Sequence, residues 1–153
     1  DVENFKAHGL VCKLISTGKR TEKGYAIYVQ PTLVQSGELE AAVPLNYNLI
    51  TFMGDTSDRM SFYGQGAGRY PTAYNVVQDC EDILCGRGFY TPCGGSVSVT
   101  NGEEMRYYVR GGAVPFPVEE NWGSAVVTAP VSVQEMHNWL KANEGAFIAA
   151  LGE

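Results

Sequence analysis

The sequence predicts an α+β fold, a mixed and largely antiparallel sheet packed against helices. Strand formers separated by short polar turns fill the stretch up to Gly64, and no uninterrupted 3.6-residue apolar period occurs before Gly68. A second helical segment, capped by Ser132, follows a further set of strand-like runs. The 153 residues are about one domain's worth of chain, and 44% hydrophobic with 18% charged content is enough to bury a core.

Taken in order, Val2 to Ala7 is a helical turn that Asp1 suits as N-cap, and Leu10 to Thr17 is a first strand. Gly18 to Gly24 reads as a charged hairpin loop. Its Lys19, Arg20 and Lys23 form a solvated cluster interleaved by Glu22 rather than a phosphate site. Tyr25 to Gln30 is an aromatic and β-branched second strand that Pro31 ends, and Pro31 to Val43 is a polar linker. Asn46 to Gly54 and Arg59 to Tyr63 form a hairpin around Asp55-Thr56-Ser57-Asp58. The two acids there bond backbone amides more readily than they hold calcium, since no further ligands follow at the needed spacing.

Gly64-Gln65-Gly66-Ala67-Gly68 is too glycine-dense for a strand and reads as a tight turn, entering a helix from Thr72 to Leu84 with Pro71 in its first turn. Such a turn and helix start bring bare amides to one point, an arrangement that accepts an anion; a close crossing of two backbones explains the glycines equally well. The turn is not a dinucleotide fingerprint of its own, because no ribose-binding acid follows a second strand about 20 residues on.

These residues carry a resemblance. Phe62 to Ile83 is similar to the C-terminal signature of homoserine dehydrogenase, G-x-G-A-G-x-x-P-T-A followed by V-V-x-D, through Gly64, Gly66, Ala67, Gly68, Pro71, Thr72, Ala73, Val76, Val77 and Asp79. Gly9 to Ile15 resembles the family's G-x-x-I-K-L strand, Val29 to Val34 its V-x-P-T-L-I, and Val43 to Ile50 its V-x-G-V-x-N-A-V, with Leu45 in place of the glycine. The resemblance implies that residues 1–85 are the C-terminal part of a substrate and dimerisation domain. It also implies NAD(P)-dependent interconversion of homoserine and aspartate semialdehyde, in amino-acid biosynthesis toward threonine and methionine. The nucleotide-binding domain, the catalytic lysine and the substrate carboxylates would then lie upstream of Asp1, with no catalytic residue in this chain, which by itself would be inactive. Gly66, Gly68 and Thr72 would face the cofactor, with Arg69 and Tyr70 standing where the family has smaller, apolar residues. The family's association through sheet surfaces of this domain implies a homodimer.

Past Leu84, Gly86 to Gly95 is a connector. Ser96 to Thr100 and Glu104 to Arg110 read as strands joined at Asn101-Gly102, a strong hairpin signal. Met105 to Arg110 resembles the opening strand of an ACT module, the amino-acid-sensing domain appended to many homoserine dehydrogenases, although Gly111 to Glu120 is an irregular apolar loop where that module has a helix. Residues 86–153 are thus expected to be a small α+β extension, a degenerate ACT-like segment open to an amino-acid effector. Trp122 to Pro130 is a strand. Ser132 and Glu135 make a capping box for a helix from Val133 to Asn143, with Val131 stapled to Met136 and Val133, Met136 and Leu140 facing inward. His137 lies beside them with only a helix neighbour for a partner, and His8 stands alone.

A net charge of −6 argues against nucleic acid and anionic membrane surfaces, and no apolar run approaches a spanning length. The four cysteines, Cys12, Cys80, Cys85 and Cys93, have no metal-site spacing; Cys12 and Cys80 read as small buried hydrophobes, and all four as free thiols of a cytoplasmic protein. The other class of function these residues allow is a non-catalytic regulatory or ligand-binding module on a paralogous scaffold, using the Tyr107 strand or the Gly111 to Glu120 loop.

Overall fold

A computed structural model describes residues 1–88 and 95–152. The elements in chain order are α1 (Val2–Ala7), β1 (Leu10–Thr21), β2 (Gly24–Gln35), β3 (Tyr47–Gly54), β4 (Asp58–Gln65), α2 (Arg69–Leu84), β5 (Glu104–Met105), β6 (Tyr107–Arg110), β7 (Val118–Trp122), β8 (Ala125–Thr128), β9 (Val131–Ser132), α3 (Val133–Ala142) and β10 (Phe147–Leu151). They fall into two compact units, residues 1–41 with 96–153 and residues 42–95, so the family-like stretch 1–85 contributes to both.

The first unit is a six-stranded sheet in the order β1-β2-β10-β6-β8-β7, antiparallel throughout except where β10 runs parallel to β2. This is the mixed, largely antiparallel sheet the sequence predicts. β1 and β2 pair from Leu10↔Gln35 to Thr21↔Gly24, longer than the expected Leu10–Thr17 and Tyr25–Gln30, which leaves only Glu22-Lys23 as the turn. Pro31 does not end its strand. The ladder to β10 begins at Thr32, so at Pro31 the strand is paired on one side only and the missing donor is tolerated.

Ser96–Thr100 does not pair back across Asn101-Gly102. It runs beside the start of β2 instead, where the Tyr25 amide donates to the Ser98 carbonyl (2.8 Å) and the Thr100 amide to the Tyr25 carbonyl (3.0 Å). Gly24, at φ +133°, must be a glycine because a Cβ there would strike the Ser98 carbonyl. Asn101 adopts φ 46° and its side-chain oxygen accepts from the Ile27 amide at 2.7 Å, taking the place of a strand neighbour.

The expected single strand Trp122–Pro130 is a hairpin, β7 and β8 turning at Gly123 with φ 67°. Its first strand begins inside the stretch expected to be irregular. β10 is a strand the sequence reading did not include, and it fills the middle of the sheet.

Successive residues on β6 point to opposite faces, so Tyr108 joins Phe5, Leu33, Trp122 and Val127 in one core while Tyr107 and Val109 join Met136 and Ile148 in another. α3 covers the second face as its period predicts. The Ser132 hydroxyl accepts the Glu135 amide at 3.2 Å, and Val131 and Met136 are buried together. Here the box closes through the Ser132 hydroxyl donating to the Glu135 carboxylate at 2.6 Å.

The second unit holds the β3–β4 ribbon, paired from Tyr47↔Gln65 to Gly54↔Asp58, and α2, close to their expected bounds. What differs is burial. No described residue of this unit is buried, so α2 does not cover a sheet within it and its periodic Tyr74, Val77, Ile83 and Leu84 remain exposed. Cys80 is exposed as well, against expectation, and Cys93 lies outside the described residues.

Candidate functional site

The glycine turn is held by two asparagines at the start of β3. The Gly66 amide donates to the Asn46 carbonyl (2.9 Å), and the Asn46 side-chain amide donates to the Ala67 carbonyl (2.7 Å). The exposed Asn48 side chain occupies the place where a Cβ of Gly66 would stand, so a side chain at Gly66 would require Asn48 to move.

Gly68 is different. It is the N-cap residue of α2 at φ 125° and ψ 154°, a region open almost solely to glycine, while the nearest heavy atom to a Cβ there would be Pro71 Cδ at 3.6 Å. The glycine is demanded by backbone conformation, and the space beside it is open to an approaching group. The Thr72 amide donates to the Gly68 carbonyl at 3.1 Å, which places Thr72 in the first turn of α2. No acidic side chain lies in that turn, so the positive end of the helix is not offset by a carboxylate. The Arg69 guanidinium sits 4.5 Å from the Tyr70 ring centroid and donates to the Tyr70 hydroxyl at 2.7 Å. Gly66, Gly68 and Thr72 therefore lie on one turn, in which the Gly66 and Thr72 amides are bonded within the chain and the open space is beside Gly68.

The other residues singled out in the sequence lie elsewhere. His8 is not alone: its ring stacks on Trp122 with centroids 3.7 Å apart, and its Nδ1 lies 2.8 Å from the Asn4 carbonyl. His137 reaches beyond its own helix to Gln30 Oε1, 2.9 Å from Nε2, and burial with the nearby Lys141 charge lowers its pKa. Gln30, 2% exposed, also accepts from the Tyr107 hydroxyl at 3.2 Å, and burial pushes that phenol up to about 12. Long-range partners of this kind leave no trace in local spacing. Lys19 pairs with Glu103, as a charge along a strand does. Half-buried Cys12 has its thiol pushed up by burial, in keeping with a packed, unreactive side chain. Among the described residues no group of three or more His, Cys, Asp or Glu could hold a metal ion, and no helix is long and apolar enough to cross a membrane.

Residues 1–80 match the family model for homoserine dehydrogenase. The homoserine dehydrogenase of Pseudomonas aeruginosa is 38% identical over 84 residues, 55% of this chain and 19% of that protein. The Bacillus subtilis homoserine dehydrogenase is 35% identical over a stretch of the same length and coverage. The matched segment thus spans about a fifth of the length of these relatives. Among solved structures, a homoserine dehydrogenase from Thiobacillus denitrificans superposes on all of this chain with TM-score 0.71 at 21% identity, the match covering 45% of that chain. One from S. aureus does so with TM-score 0.60 at 20% identity over 44%. The structural likeness extends the shared fold past the sequence match, through α3 and β10. With its glycine turn inside the matched segment, the chain belongs to the homoserine dehydrogenase family.

Proposed function

We propose that this chain supplies the C-terminal part of an oxidoreductase that interconverts homoserine and aspartate semialdehyde with NAD(P), in the cytoplasmic synthesis of threonine and methionine. The observation that carries this reading is the family match over residues 1–80 joined to a fold likeness that covers all of the chain. In it, residues 1–85 belong to the substrate and dimerisation domain, and the nucleotide-binding domain and the proton-transferring and substrate-holding residues lie in a preceding part of the protein. NAD(P), when bound, accepts or supplies the hydride. This chain's contribution is the turn at Gly66, Gly68 and Thr72, which faces the cofactor, with Gly68 the glycine that lets it approach.

The homodimer belongs to the same reading. One face of the β3–β4 ribbon presents Ile50, Phe52, Met60 and Phe62, each about half exposed, and a two-stranded ribbon is marginal unless such a face is covered. Residues 86–153 are read as a degenerate ACT-like segment. Its strands stand in the order β10-β6-β8-β7, that of a split β-α-β-β-α-β unit whose first helix is replaced by the loop between β6 and β7. The test is an assay of the intact protein for NAD(P)H oxidation with aspartate semialdehyde. Turnover is the expected result, and a folded intact protein that binds neither NAD(P) nor substrate overturns the reading.

A further inference from the structure

Where α3 passes over the seam between β2 and β10, the first unit has an open groove of about 290 Å³, at the small end of the range for ligand sites. Its floor and walls are mainly apolar, from Val29, Pro31, Leu140, Phe147 and Ile148. Two polar side chains enter it from α3, His137 and Lys141. They are four residues apart and so lie on one side of the helix.

Gln30, also in the lining, has its side-chain oxygen occupied by the Tyr107 hydroxyl and by His137 Nε2, and its amide nitrogen lies 3.4 Å from Met105 Sδ. That buried network fixes the imidazole by one nitrogen and leaves Nδ1 uncommitted within it. No carboxylate lines the groove, and Lys141 has no ion-pair partner among the described residues. The groove therefore joins an apolar body-sized space to an ammonium without an ion-pair partner, and it has no carboxylate to meet a ligand's own ammonium.

We propose that the α3/β2–β10 groove is a binding site for a small organic carboxylate with a short branched apolar body, the carboxylate held by Lys141 beside His137 and the body lying on Pro31, Leu140 and Phe147. A ligand of about eight heavy atoms at ordinary efficiency gives a dissociation constant of about a millimolar. A free amino acid is a poorer fit, because its ammonium would lie against an apolar wall and a like charge. This site belongs to the other unit from the glycine turn and does not depend on the dehydrogenase reading.

The experiment is an NMR titration of the intact protein, labelled at its histidines and Ile, Leu and Val methyls, with three probes: 4-methylpentanoate, leucine and 3-methylbutylamine. The expected result is saturable shifts at His137, Leu140 and Ile148 with 4-methylpentanoate, weaker ones with leucine and none with the amine. Lys141→Gln should weaken 4-methylpentanoate at least about tenfold, as loss of a charge-assisted contact does, while Lys141→Arg retains it. Both are surface changes, and unchanged methyl spectra without ligand confirm that the fold is kept. Equal binding of the amine, equal binding by Lys141→Gln, or no shift with 4-methylpentanoate at about fifty times the expected dissociation constant overturns the proposal. Because the readout is binding and not turnover, the outcome is separate from that of the activity assay.

Discussion

The two units use the same kinds of residue to opposite ends. In the unit of residues 1–41 and 96–152, Tyr107, Val109, Met136 and Ile148 are almost fully buried, because α3 and a six-stranded sheet each supply the counter-surface the other's apolar face needs. In the unit of residues 42–95, the ribbon and α2 also carry apolar residues at regular spacing, α2 less sharply than α3, yet no described residue there is buried. Periodicity states that a face is to be covered; it does not state by what. One unit holds its own cover, and the other leaves Phe62, Tyr74 and Val77 exposed.

The sharpest way to break this contrast is to truncate one side chain in each unit. Met136→Ala should lower the unfolding free energy of the first unit by about 2–5 kcal/mol, since a fully buried side chain leaves a cavity. Phe62→Ala, at a site 57% exposed, should cost the monomer less than about 1 kcal/mol. Chemical denaturation of both variants, with hydrogen exchange to assign the losses, checks this. Equal losses would mean that the second unit has a core of its own.

Within the second unit the largest expected cost is conformational. Gly68→Val should lose on the order of 1–3 kcal/mol from backbone strain at φ 125°, with no clash at the Cβ itself, which would meet nothing nearer than 3.6 Å. If the turn also faces the cofactor, the variant in the intact enzyme should raise the KM for NAD(P), and an unchanged KM in a folded variant would leave Gly68 a purely conformational residue. Asn101→Ala tests the first unit's counterpart, a long-range tie made by one polar side chain. Loss of the acceptor for the Ile27 amide should cost about 1 kcal/mol and raise exchange at Ile27 first.

Legibility follows the same line. Elements set by local chemistry were readable: the Ser132 cap and its box, the Asp55–Asp58 turn and, within a few residues, the bounds of β3, β4 and α2; the glycine turn was readable only from Gly66, because Gly64 and Gln65, expected to be too glycine-dense for a strand, pair with Asn48 and Tyr47 in β4. The family signature was readable too, because it is carried by the turn itself. What was not readable depended on partners far along the chain. Asn101-Gly102 has the composition of a hairpin, but the preceding strand-like run is claimed by Tyr25 of β2. Pro31 reads as a terminator until the late start of the β10 ladder shows that its missing donor is harmless. Phe147-Ile148-Ala149-Ala150-Leu151 has no alternation, since both of its faces are covered in the middle of the sheet, so it offers no period to read. The groove at His137 and Lys141 was illegible for the same reason, as its walls come from β2, α3 and β10.

The smallest expected effect concerns His137, which unlike any described group in the second unit is held by a buried polar partner. Burial first, and the Lys141 charge second, lower its pKa from the ordinary 6.5, and the groups it meets from the packed elements are Gln30 of β2 and, through it, Tyr107 of β6. With the folded value below the unfolded one, the unfolded chain binds more protons as pH falls through about 6.5. The contribution is therefore fully present above that pH, declines as the pH drops toward the folded value, and is flat below it. His137→Gln removes this titration, so its unfolding midpoint should lose part of the fall between neutral pH and the folded value that the parent shows. Phe62→Ala, in the other unit, should keep the parent's full pH profile. Parallel profiles for the parent and His137→Gln would assign the acid sensitivity of the first unit to its carboxylates, and the Gln30–His137 contact would then be one that tolerates a charged imidazole.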